Sequence, residues 1–199
     1  MIKWKNTEVL LMNYAAELAK FSRLAEEKGF VNSLEGNVSV IDRSTGYIYI
    51  TPSHKAKCLL TPEQVSVIAP DGNQIAGTEK RSSEFFLHQT AYAARPDCNA
   101  IVHSHCPYLG AYAMAQQDFV GLEHTSLYEL FATIKCLPYG QRGTHAIHEG
   151  IEEALKDCFV ALLGGHGTVC MGEDLENALG ILEAAENYAK TIAIMKATK

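Results

Sequence analysis

Nowhere in the chain do two cysteines form a C-x-x-C pair; the six present, Cys58, Cys98, Cys106, Cys136, Cys158 and Cys170, are scattered and several lie in apolar runs. That spacing argues against a thiolate zinc site or a disulfide framework and predicts reduced, mostly buried thiols. Basic residues are scarce too: 17 Lys and Arg against 23 Asp and Glu leave a formal charge of -6. There is no basic footprint for nucleic acid or an anionic membrane surface, so any bound phosphate has to be held locally. No apolar run reaches the roughly 20 residues a membrane helix needs. The opening Met1 to Asn6 lacks the apolar core and small-residue cleavage site of a signal peptide. The expectation is a cytoplasmic protein. Internal repeats, low-complexity stretches and interdomain linkers are also missing. With 47% hydrophobic residues, positions 1–199 are expected to form one domain with a sizeable core.

What is present is a regular alternation of elements. Leu11, Tyr14, Leu18, Phe21 and Ala25 recur at helical steps, so residues 7–28 read as a helix capped by Thr7 and stopped by Gly29. Residues 37–41 and 47–51 read as one β-hairpin, and 65–69 and 74–77 as another about Pro70-Asp71-Gly72-Asn73. A helix is expected from Ser82 or Ser83 to Ala94 with serine caps, then a strand over 99–104 and a helix over 107–116. A helical turn over 126–131, a strand over 135–138, and a helix from Thr144 to Lys156 follow. Strands at 159–163 and 168–171 flank Gly164-Gly165-His166-Gly167. Leu175, Ala178, Leu182, Ala185, Ala189 and Ile192 mark a long last helix. The hairpins predict a largely antiparallel sheet with helices on its faces.

Chemistry concentrates at Ile101-Val102-His103-Ser104-His105. On a strand alternate side chains leave the same face, so His103 and His105 point together and two imidazoles converge on one metal ion. A closed ligand set would make that ion structural; an open position would make it catalytic. His166 is the best candidate third ligand, because the glycines on both sides allow close approach. Glu84 follows Ser82 and Ser83 at an expected helix start, where free N–H groups and hydroxyls favour an anion. Gly36-Asn37 and Thr51-Pro52-Ser53 supply further small polar anion holders.

Five segments in this order and spacing, Gly36-Asn37-Val38-Ser39, Thr51-Pro52-Ser53, Ser82-Ser83-Glu84 followed by His88, Val102-His103-Ser104-His105 and Gly165-His166-Gly167, resemble the class II aldolase/adducin family, closest to its L-fuculose-1-phosphate aldolase type. The resemblance spans nearly the whole chain. It implies an α/β/α sandwich around a mainly antiparallel sheet and a homotetramer with sites between subunits. It implies zinc on His103, His105 and His166, with Glu84 as an acid/base carboxylate that also reaches the metal. Gly36, Asn37, Ser53, Ser82 and Ser83 would hold a substrate phosphate.

The chain departs from the family at two places. His54 stands where the family often has glycine, and either adds a cationic donor to the phosphate or points outward. The family's proton-donating tyrosine, contributed by a neighbouring subunit, falls at His124, with Tyr128 one helical turn later. The implied activity is carbon–carbon lyase chemistry: zinc-dependent cleavage of a ketose 1-phosphate to dihydroxyacetone phosphate and an aldehyde through an enediolate. Decarboxylation of an oxo-acid phosphate and 4-epimerisation of a pentulose 5-phosphate use the same intermediate. A non-catalytic adducin-like module fits poorly with retained ligands, and other divalent ions also suit three imidazoles.

Overall fold

The computed structural model describes residues 3–141 and 143–198, with side chains from residue 13 onward. Helix α1 (Lys3–Glu27) leads to the hairpin β1 (Asn37–Asp42) and β2 (Tyr47–Ile50), then to the hairpin β3 (Ser66–Ile68) and β4 (Gln74–Ala76). Helix α2 (Phe85–Ala94) crosses back to β5 (Ala100–Ser104), followed by α3 (Pro107–Met114), β6 (Phe119–Val120), α4 (Tyr128–Phe131) and β7 (Thr133–Ile134). The chain ends with β8 (Cys136–Leu137), α5 (Ile151–Ala154), the strands β9 (Val160–Leu163) and β10 (Gly167–Gly172), and α6 (Leu175–Ala197). Eight strands form one sheet in the order β4-β3-β2-β1-β5-β10-β9-β8, and β6 pairs with β7 separately. Within the large sheet only β8 and β9 run parallel.

Period-two alternation decides which helix each strand residue meets. Val38, Val40, Tyr49, Val102, Leu162 and Cys170 face α1, α3 and α6 in one core cluster. Ile48, Ile50, Ile101, Leu163, Val169 and Met171 face the other way, against Phe85, Leu87 and Ala91 of α2 and Ile151 of α5. Helices therefore cover both faces of a mainly antiparallel sheet. Most of these side chains are fully buried, each contributing roughly 1.5–3 kcal/mol of transfer free energy.

Several boundaries differ from the sequence expectation for local reasons. The first helix begins at Lys3, so Thr7 lies within it rather than capping it; the side chain of Leu11 is outside the described residues. Helix α2 starts at Phe85, with Glu84 in the N-cap position and no serine cap. Ser82 instead accepts a hydrogen bond from the Glu84 amide. The expected helix from Thr144 is a 3-10 turn over His145–His148, broken from α5 by Gly150 in the left-handed region (φ 85). All six cysteines are free, four of them buried. No helix of the described residues is long and apolar enough to cross a membrane.

Candidate active site

Antiparallel pairing of the three central strands brings distant residues to one end of the sheet. In register, Asn37 at the start of β1 lies opposite His103 near the end of β5, and Val169 of β10 lies opposite His103 on the other side. His105 sits just past β5, where the chain turns into α3, so its convergence with His103 comes from that turn and not from strand alternation alone. Glu186 of α6 holds the turn by accepting the amides of Tyr108 and Leu109 at 2.8 Å each, a carboxylate at a helix N-terminus. His166 arrives from the β9–β10 loop. A Cβ at Gly167 would stand 2.5 Å from the Ser104 carbonyl and 3.4 Å from the rings of His103 and His105, so only glycine lets this loop close on the pair.

The three imidazoles meet at their Nε2 atoms: His103 lies 3.2 Å from His105 and 3.1 Å from His166. His103 donates through Nδ1 to the Thr168 carbonyl at 2.8 Å, which aims its Nε2 at the other two. Three ring nitrogens converging at this range would give their lone pairs to a cation. The spacing is close to the roughly 3.3 Å edge of a tetrahedron with zinc–nitrogen bonds of about 2.0–2.1 Å. The donor set and its geometry therefore fit a divalent metal. Glu84 closes a fourth side, with Oε1 2.8 Å from His166 Nε2 and Oε2 3.4 Å from His103 Nε2.

Burial pushes the Glu84 carboxyl up, but the charge of His103 and the hydrogen bonds from His166 and Asn37 outweigh it and hold the group well below the usual carboxylate range. An ionised Glu84 in turn dictates a buried chain of hydrogen bonds behind it. Asn37 donates from Nδ2 to Glu84 Oε2 at 2.6 Å, so its Oδ1 accepts from His88 Nε2. His88 Nδ1 must then accept from the Ser39 hydroxyl at 2.6 Å, and Ser39 accepts from Tyr92 at 2.7 Å. His88, Ser39 and Tyr92 are each no more than 2% exposed.

That chain requires a neutral His88, and burial first, then the charge of His103, lowers its pKa from 6.5 to about 3. The unfolded chain takes up this proton near 6.5 while the folded chain does not, so stability falls as pH drops through the interval from 6.5 towards 3. His105, lowered to about 4 by burial and then by His103 and His166, acts in the same direction. The metal-free protein is expected to lose several degrees of unfolding midpoint between about pH 7.5 and about pH 5, and His88→Gln to flatten that slope. Calorimetry across the interval checks both; a flat wild-type profile would contradict a neutral buried His88.

Gly36, Asn37, Ser53, His54, Ser82 and Ser83 all line one cleft beside Glu84. His54 is exposed at its rim with φ 57, a left-handed backbone that costs an L-residue about 1 kcal/mol or more. The conformation expected of glycine is thus retained although the residue is not glycine. Two groups in the neighbourhood were not singled out from sequence: buried Lys57, which lines the same cleft, and Glu35, whose carboxylate lies 3.9 Å from His105 Nδ1. A second cavity of about 460 Å³ shares Ser83 and Glu84 with the cleft and extends to Phe86, Thr144 and His148. His148 Nδ1 is buried there with no hydrogen-bond partner among the described residues. His124 and Tyr128 are not brought to this place within one chain. They sit in a segment tied to α6 by Tyr188, which contacts Leu122 and Thr125, and line none of the clefts at the cluster.

Known proteins match this chain along most of its length. The class II aldolase and adducin N-terminal domain matches residues 16–193. A 5-deoxy-D-ribulose 1-phosphate aldolase of Bacillus thuringiensis is 29% identical over 186 residues, 92% of this chain and 85% of its own. A 3-oxo-tetronate 4-phosphate decarboxylase of Escherichia coli is 28% identical over 187 residues, 90% of this chain and 85% of its own. The solved structure of an L-fuculose 1-phosphate aldolase superposes with a TM-score of 0.86 at 26% identity, covering 94% of this chain and 87% of that one.

Proposed function

Because the chain belongs to the class II aldolase and adducin family, and is a lyase of its aldolase type, we propose that it cleaves a ketose 1-phosphate to dihydroxyacetone phosphate and an aldehyde, with zinc as its metal. One observation carries the reading: the Glu84 carboxylate touches the histidine cluster through His166 and the anion cleft through Asn37. A substrate anchored in the cleft by its phosphate thereby places its reacting carbons between the cluster and a base.

His103, His105 and His166 would hold the zinc, with Glu84 able to complete the set before substrate arrives. Zinc held there supplies Lewis-acid stabilisation of negative charge developing on the substrate oxygens. The remaining work belongs to the chain. Ser82, Ser83 and the free Asn37 N–H bind the phosphate, and that remote binding positions the reacting bond. Glu84 delivers or removes the proton at the carbon left electron-rich when the bond breaks. The cavity reaching His148 receives the part of the substrate beyond that bond. His124 or Tyr128 exchanges a proton with the aldehyde oxygen from a neighbouring subunit of a homotetramer; neither residue lines the two clefts of its own chain at Glu84, which supports that placement.

The decarboxylase relative, almost as similar as the aldolase, supports one second reading: loss of carbon dioxide from an oxo-acid phosphate leaves the same electron-rich carbon. Metal-loaded protein incubated with ketose 1-phosphates and oxo-acid phosphates separates the two. Release of dihydroxyacetone phosphate is expected. Carbon dioxide without it would overturn the aldolase assignment.

A further inference from the structure

Lys57 is 2% exposed, yet its ammonium makes one hydrogen bond, to the Asn32 carbonyl at 2.6 Å, and no ion pair among the described residues. An ammonium has three donors, and burial pushes the pKa of this one down against the through-space pull of the Glu26 and Glu84 carboxylates. The side chain lines the same cleft as Gly36, Asn37, Ser53, Ser82 and Ser83.

The neutral donors there are partly committed. Ser53 Oγ donates to the Arg81 carbonyl and accepts from the Ser83 amide, both at 3.3 Å. Asn37 gives one N–H to Glu84. Glu84 also lines the cleft, and its negative charge opposes the entry of any anion. Hydroxyls alone would have to hold a dianion against that repulsion. The cleft is short of donors and of positive charge, and Lys57 brings two uncommitted donors and an ammonium to it.

We propose that Lys57 is a phosphate-binding residue, whose two remaining N–H groups receive the phosphate monoester of the substrate, and that its buried charge is tolerated in the free protein for that purpose. This rests on the reading of the cleft as a phosphate site. The alternative is that Lys57 only staples the 32–36 loop through Asn32. The two roles predict opposite results.

Lys57→Gln keeps a donor for Asn32 while removing the charge, and Lys57→Met removes both. Calorimetric titration of metal-loaded protein with inorganic phosphate is expected to show affinity about tenfold to a hundredfold weaker in Lys57→Gln, with KM for a phosphorylated substrate raised similarly. Lys57→Arg is expected to recover part of the loss. Without ligand, Lys57→Met is expected to unfold no lower than wild type, since a buried charge has been removed. If Lys57→Gln folds and binds phosphate like wild type while Ser83→Ala binds it weakly, the cleft reading stands and Lys57 is only a staple. Should neither variant change the affinity, the cleft reading falls and takes this proposal with it.

Discussion

Replacing His103 with alanine is expected to reduce bound metal from about one ion per chain to near zero and turnover by more than about a thousandfold. The imidazole is fully buried, fixed by its bond to Thr168, and is the one whose Nε2 lies within 3.2 Å of both other histidines. Without it His105 and His166 remain, and two imidazoles with a carboxylate no longer enclose an ion from the sheet side. A loss of some 4 kcal/mol of transition-state stabilisation, a modest share for a Lewis acid, corresponds to about three decades in rate. Elemental analysis alongside steady-state kinetics checks the expectation, with circular dichroism to verify the fold. Full activity in His103→Ala would remove the metal centre from the mechanism.

Glu84→Gln is expected to produce a different signature. The amide matches the carboxylate in size and preserves its position at the start of α2, but it cannot take a proton. Turnover should fall about a hundredfold to ten-thousandfold, the usual contribution of a positioned general base. Metal content should hold, because three imidazoles remain. Affinity for inorganic phosphate should hold or improve, since a negative charge lining the cleft is gone. The contrast with His103→Ala lies in metal content, and the contrast with Lys57→Gln lies in phosphate affinity. A Glu84→Gln enzyme with wild-type turnover would assign the proton transfer to another group.

Those distinctions were partly legible in the sequence. The apolar stripe of α6 and the two hairpins follow from period and turn chemistry, and the structure has both. The segment over 144–156 reads as one helix starting at Thr144, but Gly150 takes the backbone into the left-handed region midway. His103, His105 and His166 announce themselves through spacing and flanking glycines. Lys57 and Glu35 carry no such local signal, since a lysine and a glutamate in polar loops look ordinary, and His88 is legible only as part of the motif that follows Glu84, without a role. His88 becomes informative only once Asn37, Ser39 and Tyr92, from β1 and α2, are in register around it. Exposed His54 keeps its significance in the backbone angle, which composition does not reveal.

The cluster joins residues far apart along the chain. His103 and His166 are separated by 63 positions, and Glu84 and His166 by 82. Nothing local in any one segment can assemble it. Such contacts close late and slowly in folding, after the loop entropy between them has been overcome. A nascent or partly unfolded chain thus offers a metal ion no more than the local His103 and His105 pair, and tight uptake awaits the joining of β5 and β10 that brings His166 to it.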